Sequence, residues 1–197
     1  EATFTWEQDL IANTQAGEER WSFTVTDKDG LKKELSFVIT TTPTVTAYLD
    51  VTMGSYDDVD FGSFMATATG TVMTKAEAGA AQETVDFAFY KGAVNGSTLG
   101  APSNDDIVLV FKLNEAGWTL PGNETLFEMS DLNADDFDAI GDSYDFPAFE
   151  GTKDDIQNLD VGDVVYFKTH ENKRGYIKVE NIYQKGYKID FDMKVEN

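Results

Sequence analysis

Cysteine is absent from this chain of 197 residues, and histidine occurs once, as His170. The absence of thiols excludes disulfide bonds, thiolate zinc sites and cysteine nucleophiles. A catalytic triad or a histidine metal site would depend on His170 alone, and its place beside Glu171 at a predicted strand end is typical of a turn residue. The sequence also lacks the Gly-x-Ser-x-Gly elbow of serine hydrolases and the glycine-rich loop that binds phosphate.

Basic residues are few: the chain has 15 Lys and Arg against 36 Asp and Glu, which gives a formal net charge of −21. A surface this negative repels phosphate backbones and anionic membranes, so we expect no nucleic-acid partner. Apolar runs are short, and none approaches the ~20 residues that a membrane-spanning helix needs. We therefore predict no transmembrane segment in this chain, find no signal peptide in it, and expect a monomer.

The last part of the chain has the clearest strand pattern. Residues 187–195 alternate apolar and charged side chains without interruption, which is the period of a strand with one buried face. Residues 164–169 and 176–182 have similar patterns, and the short connections at 171–175 and 184–186 are typical of turns. We predict an antiparallel meander in which Ile189 and Phe191 point into the core and the charged residues face water.

Residues 1–42 also have the pattern of strands. Apolar and polar residues alternate over 21–26 and, apart from Val38, over 35–40, and the Asp-Gly pair at 29–30 favours a tight hairpin turn. A hairpin with one upstream strand, at residues 2–6, is too little for a sandwich of roughly seven strands. This segment is therefore either the tail of a truncated sandwich or an appendage of the main domain, and the threonine-rich residues 40–44 are a plausible linker.

The middle of the chain mixes strands with short helices. Thr74 and Glu77 form a capping-box pattern, and Asn133 is placed to cap a helix over 133–140. Residues 154–159 are predicted to form a helical turn, whereas the apolar runs 107–111 and 126–129 fit either a strand or a helix. The predicted fold is mainly β (α+β): an antiparallel β-sheet or sandwich-like domain with a few short helices.

Two stretches resemble known proteins. Residues 21–30 (WSFTVTDKDG) with 37–39 resemble the last two strands of the immunoglobulin-like repeats in Bacteroidetes exported proteins. A second set of segments is similar to a domain of unknown function in uncharacterised Bacteroidetes cell-surface lipoproteins. These segments are FGSF (61–64), GTVM (70–73), VDFAFY (85–90), APSN (101–104), LDVGDVVYFKT (159–169) and GYIKV (175–179).

The resemblance implies a division into a partial immunoglobulin-like β segment with its linker, residues 1–43, and a β-rich C-terminal domain, residues 44–197. It also implies export, to the outer-membrane surface or the periplasm, and attachment through a lipidated cysteine upstream of these residues. The family brings no established activity.

An exposed aromatic side chain on a loop is the contact that a glycan-binding module would need. Trp118 lies among Gly and Pro residues and is the first candidate, followed by Tyr144 and Tyr56; Glu115 and Asp142 are placed to accept hydroxyl hydrogen bonds. The alternative for Trp118 is an indole that folds back over the core.

Acidic residues at 131–142 partly match a calcium-binding loop. Asp131, Asn133 and Asp135 occupy the first, third and fifth positions, and Asp142 occupies the twelfth, where a bidentate Glu is usual. Asp136 stands where the loop needs Gly, and a capped acidic helix explains the same letters. Calcium is the one cofactor that the sequence suggests.

The leading hypothesis is a non-enzymatic cell-surface or periplasmic binding or adhesion module, with a glycan or a surface protein as partner. One alternative is a secreted carbohydrate-active enzyme that uses a pair of carboxylates. With 36 acids in the chain, sequence alone cannot nominate that pair. The other alternative is a structural spacer.

Overall fold

Antiparallel strands dominate the computed structural model, which describes residues 7–11, 16–56, 58, 60–183 and 187–197. Two five-stranded sheets form the body of the protein, and a separate two-stranded ribbon precedes them. Three short α-helices lie within these residues. The predicted fold class, a β-rich α+β fold, is confirmed.

The first sheet has the strand order β3-β12-β11-β10-β8. It contains the predicted C-terminal meander, which is confirmed. The predicted turn at 184–186 and the predicted strand at 2–6 lie outside the described residues. The strands of this sheet are β3 (Val45–Gly54), β8 (Leu126–Met129), β10 (Val164–Lys168), β11 (Arg174–Tyr183) and β12 (Lys188–Glu196).

A β-bulge interrupts the pairing of β3 with β12. The register shifts between Phe191 and Met193, and Asp50 adopts a left-handed backbone with φ of 54°. The Asp192 carboxylate accepts the Asp50 backbone N–H at 2.9 Å, which stabilises this otherwise unfavourable conformation. The bulge turns Leu49 outward into solvent.

The second sheet has the strand order β5-β4-β6-β7-β9. The predicted helical turn at 154–159 is wrong, because Asp155 and Ile156 form β9 and pair with Gly100 and Leu99. A strand of two residues is too short to show an alternating pattern in the sequence. Its formation depends on a pairing partner that is distant in the chain. The strands are β4 (Phe64–Ala66), β5 (Thr71–Met73), β6 (Phe87–Gly92), β7 (Gly96–Gly100) and β9 (Asp155–Ile156).

The helices begin at polar caps, two of which were predicted. Thr74 and Glu77 form the capping box, and Asn133 accepts the backbone N–H of Asp136. Asn104 accepts two backbone N–H groups and starts the helix over 105–111, so the ambiguous run 107–111 is helical, whereas 126–129 is strand β8. The helices are α1 (Lys75–Ala80), α2 (Asp105–Phe111) and α3 (Ala134–Asp138).

The main core lies between the two sheets. Phe87 of the second sheet contacts three phenylalanines of the first, Phe127, Phe167 and Phe191, with ring centroids 6.2, 6.0 and 6.4 Å away. Ile189 is fully buried in the same cluster. The predicted inward orientation of Ile189 and Phe191 is therefore confirmed.

The outer face of each sheet is also covered. Helices α1 and α2 pack on the second sheet through a cluster that includes Phe64, Phe111 and Trp118. Helix α3 and the following loop cover the first sheet through Phe137, Phe146 and neighbouring aromatic residues. This arrangement explains why strand β6 is apolar on both faces.

The prediction that the charged face of β12 is exposed to water is wrong for Lys194, which is 9% exposed. Its ammonium donates to the carbonyls of Phe137, Asp138 and Ile140 at 2.9, 3.1 and 2.8 Å. These carbonyls lie at and just beyond the C-terminal end of α3, where helix carbonyls lack intrahelical partners and attract cations. Lys194 therefore anchors α3 to the sheet.

The N-terminal ribbon consists of β1 (Gly17–Thr26) and β2 (Lys32–Thr41), which confirms the predicted hairpin. Asp27 organises the turn by accepting the N–H groups of Asp29 and Leu31 at 2.9 Å each. Among the described residues, the ribbon strands pair with each other and with no strand of the body. The domain boundary between residues 43 and 44 remains a prediction, as does the immunoglobulin-like character of the segment.

Candidate ligand-binding site

A pocket of about 370 Å³ lies beside Tyr56, between the loop after β3 and the facing ends of α1 and α2. This volume falls within the range of small-molecule sites. Tyr56 is 51% exposed. The described residues that line the pocket are Tyr56, Asp58, Phe61, Ser63, Thr74, Lys75, Val110, Phe111 and Lys112.

Backbone and side-chain hydrogen bonds hold the loop that carries Tyr56. Ser55 donates its N–H to the Tyr187 carbonyl at 2.8 Å, and its hydroxyl accepts the Lys91 N–H at 3.0 Å. Asp58 accepts the N–H groups of Asp60 and Phe61 at 2.9 and 3.0 Å, an Asx-type turn. Hydrogen bonds therefore hold Ser55 and Asp58, the nearest other described residues on either side of Tyr56.

Gly54 is needed for this loop to fold back. A Cβ atom at Gly54 would lie 2.5 Å from the Asp58 Cβ, a separation that side chains do not tolerate. The strand β3 therefore ends at a residue that permits close approach of the loop, and the approach brings Asp58 into the pocket lining.

The start of α1 and the end of α2 bring two lysines to the pocket lining. Lys75 donates to the Phe111 carbonyl at 3.2 Å, which joins the start of α1 to the end of α2. An ammonium has three donors, so this bond does not exhaust its capacity. Lys112 follows α2 and is exposed. The described lining residues include two lysines and one carboxylate. Their net charge is therefore positive, opposite in sign to that of the whole chain.

The arrangement combines an exposed aromatic ring with hydroxyl, ammonium and carboxylate groups. An aromatic ring can stack against the apolar face of a sugar, and polar groups at its margin can bind the hydroxyls. Ser63 and Thr74 supply hydroxyls, and Asp58 supplies an acceptor. The pocket therefore has the chemical groups that recognition of a small hydroxyl-rich ligand requires.

Trp118, the first of the aromatic residues predicted to bind a ligand, is 7% exposed. Its ring packs against Phe64 with centroids 5.3 Å apart, and its Nε1 lies close to Gly79, where an added Cβ would be 3.3 Å away. The structure thus places Trp118 in the cluster beneath α1 and α2, in the position of the alternative interpretation, an indole that covers the core.

The other predicted ligand-binding residues do not gather around Trp118. Tyr144 is half-buried and packs edge-on against Phe146, with centroids 5.2 Å apart, on the outer face of the first sheet. Glu115 is exposed in the loop after α2. Asp142 is exposed, and its carbonyl accepts the N–H groups of Thr44 and Val45.

The predicted calcium ligands belong to the start of α3 and its flanks. Asn133 caps the helix, and Asp136 returns a hydrogen bond to the Asn133 N–H at 3.2 Å. Asp131, Asp135 and Asp142 are exposed. Within the described ranges, no group of three or more His, Asp or Glu is arranged to hold a metal ion. Calcium binding has no further support from this geometry.

A larger open groove of about 840 Å³ lies between β8 and β9, the edge strands of the two sheets. Three carboxylates line it, from Glu128, Glu150 and Asp155, together with the side chains of Lys153 and Gln157. Gln157 donates to Asp155 at 2.6 Å. None of the described lining residues is Tyr or Trp, so this groove offers acids but no stacking surface of the predicted kind.

Asp86 is a buried carboxylate that the sequence analysis missed. Its Oδ2 accepts the N–H and the hydroxyl of Thr67 at 2.8 and 2.7 Å, and its Oδ1 lies 3.6 Å from His170 Nδ1. Burial raises the pKa of Asp86 above its ordinary value, and the Thr67 hydrogen bonds oppose that rise. The signal was present in the sequence, since Asp86 stands between the apolar residues Val85 and Phe87.

We expect Asp86→Asn to stabilise the protein at pH 7, because burial penalises the charged carboxylate. A carboxyl whose pKa is raised by folding contributes less stability as the pH rises from its ordinary value of 3.8 through its folded pKa. The gain should therefore vanish near pH 3.5 and grow through that interval. Urea unfolding at several pH values measures it.

The control for this prediction is Asp131→Asn, which changes an exposed carboxylate of the same kind. The charges of His170 and Glu171 also affect the pKa of Asp86. The stabilities of the two variants are therefore compared with each other at each pH. A stability difference for Asp86→Asn that does not depend on pH would contradict the interpretation.

The fold of this chain is similar to that of a solved structure. No family model matches the chain, and no curated relative matches it. The chain is similar to the crystal structure of a DUF4466 family protein from Parabacteroides merdae ATCC 43184, with a TM-score of 0.53 and 15% sequence identity. The match covers 93% of this chain and 64% of that chain, so the chain spans less than two thirds of the neighbour's length.

This likeness shows a shared fold. The neighbour is a Bacteroidetes protein from a family of unknown function, in agreement with the coarser part of the resemblance drawn from the sequence. The lipoprotein anchor, the export and the immunoglobulin-like segment remain predictions. Among the helices that the structure describes, none is long and apolar enough to cross a membrane.

Proposed function

We propose that this protein is an exported binding module that recognises a glycan through the pocket beside Tyr56. One observation carries the proposal: a half-exposed tyrosine on a hydrogen-bonded loop faces hydroxyl, ammonium and carboxylate groups across a pocket of about 370 Å³. The place in the cell, the outer-membrane surface or the periplasm, is proposed from the sequence resemblance.

The charges of the pocket favour a particular kind of sugar. The −21 net charge repels large polyanions at a distance, whereas Lys75 and Lys112 favour a single acidic group within the pocket. A short neutral oligosaccharide, or one with a single uronic acid, satisfies both conditions. Screening by 0.15 M salt reduces the long-range repulsion but leaves short contacts in the pocket nearly unchanged.

We expect Tyr56→Ala to weaken binding by about tenfold or more, because it removes the stacking surface of the pocket. A glycan array of neutral and uronic-acid oligosaccharides identifies the ligand, and titration calorimetry with the best ligand measures the loss. The stability of the variant should change by less than about 0.5 kcal/mol, since the side chain is exposed.

The matched control is Tyr187→Ala. Tyr187 is 50% exposed, lies near the same loop through its carbonyl bond to Ser55, and is outside the pocket lining. Binding should survive this change. Equal losses from the two variants, or full binding by Tyr56→Ala, would contradict the assignment of the pocket.

The edge groove supports the alternative, a carbohydrate-active enzyme. Glycoside hydrolysis needs two carboxylates about 5 to 9 Å apart, and the groove brings together Glu128, Glu150 and Asp155. Turnover of a glycan pool that disappears in both Glu128→Gln and Asp155→Asn, but persists in Tyr56→Ala, would favour this enzyme. Neither retention on the array nor turnover would favour a structural spacer.

A further inference from the structure

Strand β12 begins at Lys188, beside the loop that carries Tyr56. Antiparallel pairing sets Lys188 opposite Tyr183 of β11 on one side and opposite Gly54 of β3 on the other. Residues directly opposite each other in adjacent antiparallel strands project from the same face of a sheet. One row across these three strands therefore contains a tyrosine, a lysine and a glycine.

The glycine leaves room in this row for a residue of the loop. A Cβ atom at Gly54 would lie 3.1 Å from the Cβ of Phe61, so Phe61 lies where a side chain at Gly54 would need space. The ammonium of Lys188 is 4.2 Å from the centroid of the Phe61 ring and 5.5 Å from that of Tyr183. Both separations fall within the range of cation–π contacts, and the shorter one is to the loop.

Phe61 connects this contact to the pocket beside Tyr56. Phe61 is one of the described lining residues, and Lys188 is not among them. The Phe61 N–H donates to the Asp58 carboxylate at 3.0 Å, and the Gly54 N–H donates to the Gly62 carbonyl at 2.9 Å. These bonds hold the backbone around Phe61, whereas the contact with Lys188 restricts the rotation of its side chain.

We propose that Lys188 is a positioning residue for the glycan pocket, because its ammonium holds the Phe61 ring in the orientation that lines the pocket. This inference rests on the proposed function, since it assigns a role in the same site. Lys188 acts through Phe61. A ring that is already ordered in the free protein loses less conformational entropy when a ligand binds, so the contact increases affinity.

Lys188→Met tests this role, because it removes the charge and keeps an unbranched side chain. We expect the variant to bind about threefold more weakly than the unaltered chain, a change within the range of a cation–π contact at a partly exposed site. Titration calorimetry measures the loss, with the neutral or uronic-acid oligosaccharide that the glycan array retains most strongly. Lys188→Arg should restore the affinity, since a guanidinium also stacks on an aromatic face.

The matched control is Lys168→Met. The Lys168 ammonium lies 5.7 Å from the centroid of the Phe149 ring, and neither residue is among the described lining residues of the pocket. Lys168 and Lys188 are both half-buried. The two methionine variants change the net charge of the chain equally, so a long-range effect of charge on binding would appear in both. Binding should be unchanged in Lys168→Met.

Hydrogen exchange gives a second measurement that needs no oligosaccharide. The backbone N–H groups of Asp60 and Phe61 donate to Asp58, and their exchange reports local opening of the loop. We expect this exchange to be about two- to fivefold faster in Lys188→Met. It should be unchanged in Lys188→Arg and Lys168→Met. Circular dichroism confirms that every variant stays folded.

Three results would overturn the positioning role: full binding by Lys188→Met, an equal loss in Lys168→Met, or no recovery in Lys188→Arg. If the array retains no oligosaccharide on the unaltered chain, the proposed function is wrong, and hydrogen exchange then decides the role of Lys188 in holding Phe61. Unchanged exchange in Lys188→Met would overturn that role as well.

Discussion

Replacing Phe191 with alanine is expected to lower the free energy of unfolding by about 3 to 5 kcal/mol. Phe191 is fully buried at the centre of the first sheet, where it pairs with Val51 on one side and Val179 on the other. Its ring also contacts Phe87 of the second sheet. Truncation therefore removes contacts that hold the two sheets together and leaves a cavity that rigid strands cannot close. Urea unfolding followed by circular dichroism measures the loss.

The control for Phe191 is Leu49→Ala, which shortens an apolar side chain on the neighbouring strand. Leu49 points into solvent from the β-bulge, so its truncation should change stability by less than about 0.5 kcal/mol. Charged residues of β12 are poorer controls, because Asp190 accepts hydrogen bonds from Thr52 and Tyr183. If Leu49→Ala cost as much as Phe191→Ala, the register of β3 and β12 would be wrong.

Trp118→Ala should have a comparable effect, about 3 to 5 kcal/mol, because the indole fills the space between α1, α2 and the second sheet. The buried Nε1 has no hydrogen-bond partner among the described atoms, so the loss should come from packing. Thermal unfolding should show a decrease in Tm of many degrees. This result would assign Trp118 to the core.

The control for Trp118→Ala is Leu109→Ala. Leu109 lies on the exposed side of α2, the helix that covers the same cluster. Its removal should alter the Tm only slightly. Ready access of a neutral quencher to Trp118, together with an unchanged Tm in Trp118→Ala, would instead show that the indole is exposed. Trp118 would then again be a candidate for stacking against a sugar.

Local patterns in the sequence predicted the elements that are stabilised locally or by one buried face. The hairpin turn at Asp27, the capping box at Thr74 and the alternation in β12 depend on neighbours in the chain, and the structure contains all three. The run 107–111 also carried a local signal, because Asn104 precedes it as a cap with two acids in the first turn. This cap and the two acids favour a helix over a strand for the run.

Elements that depend on distant partners could not be predicted in this way. Ile156 becomes part of a strand because Leu99 lies beside it, and nothing within residues 154–159 indicates that pairing. Lys194 has the pattern of a solvent-facing residue, but α3 covers it and supplies three carbonyls. A period of two identifies which residues share a face and does not identify what covers that face.

The same distinction applies to the candidate site. The turn-rich sequence around Tyr56 predicts an exposed aromatic residue, which the structure shows. The pocket itself also needs Ser63, Lys75 and Lys112, which come from three separate segments and meet through the packing of α1 and α2 on the second sheet. Their convergence is a property of the fold and has no counterpart in a sequence motif.

The β-bulge in β3 makes this outer strand a poor template for the addition of another strand. β3 is an outer strand of its sheet, and a straight outer strand is a template on which another chain can add a strand and begin aggregation. Asp50, held in its left-handed conformation by Asp192, bends β3 and breaks the regular row of backbone donors and acceptors. The aspartate pair thus disfavours the addition of a further strand at this edge of the sheet.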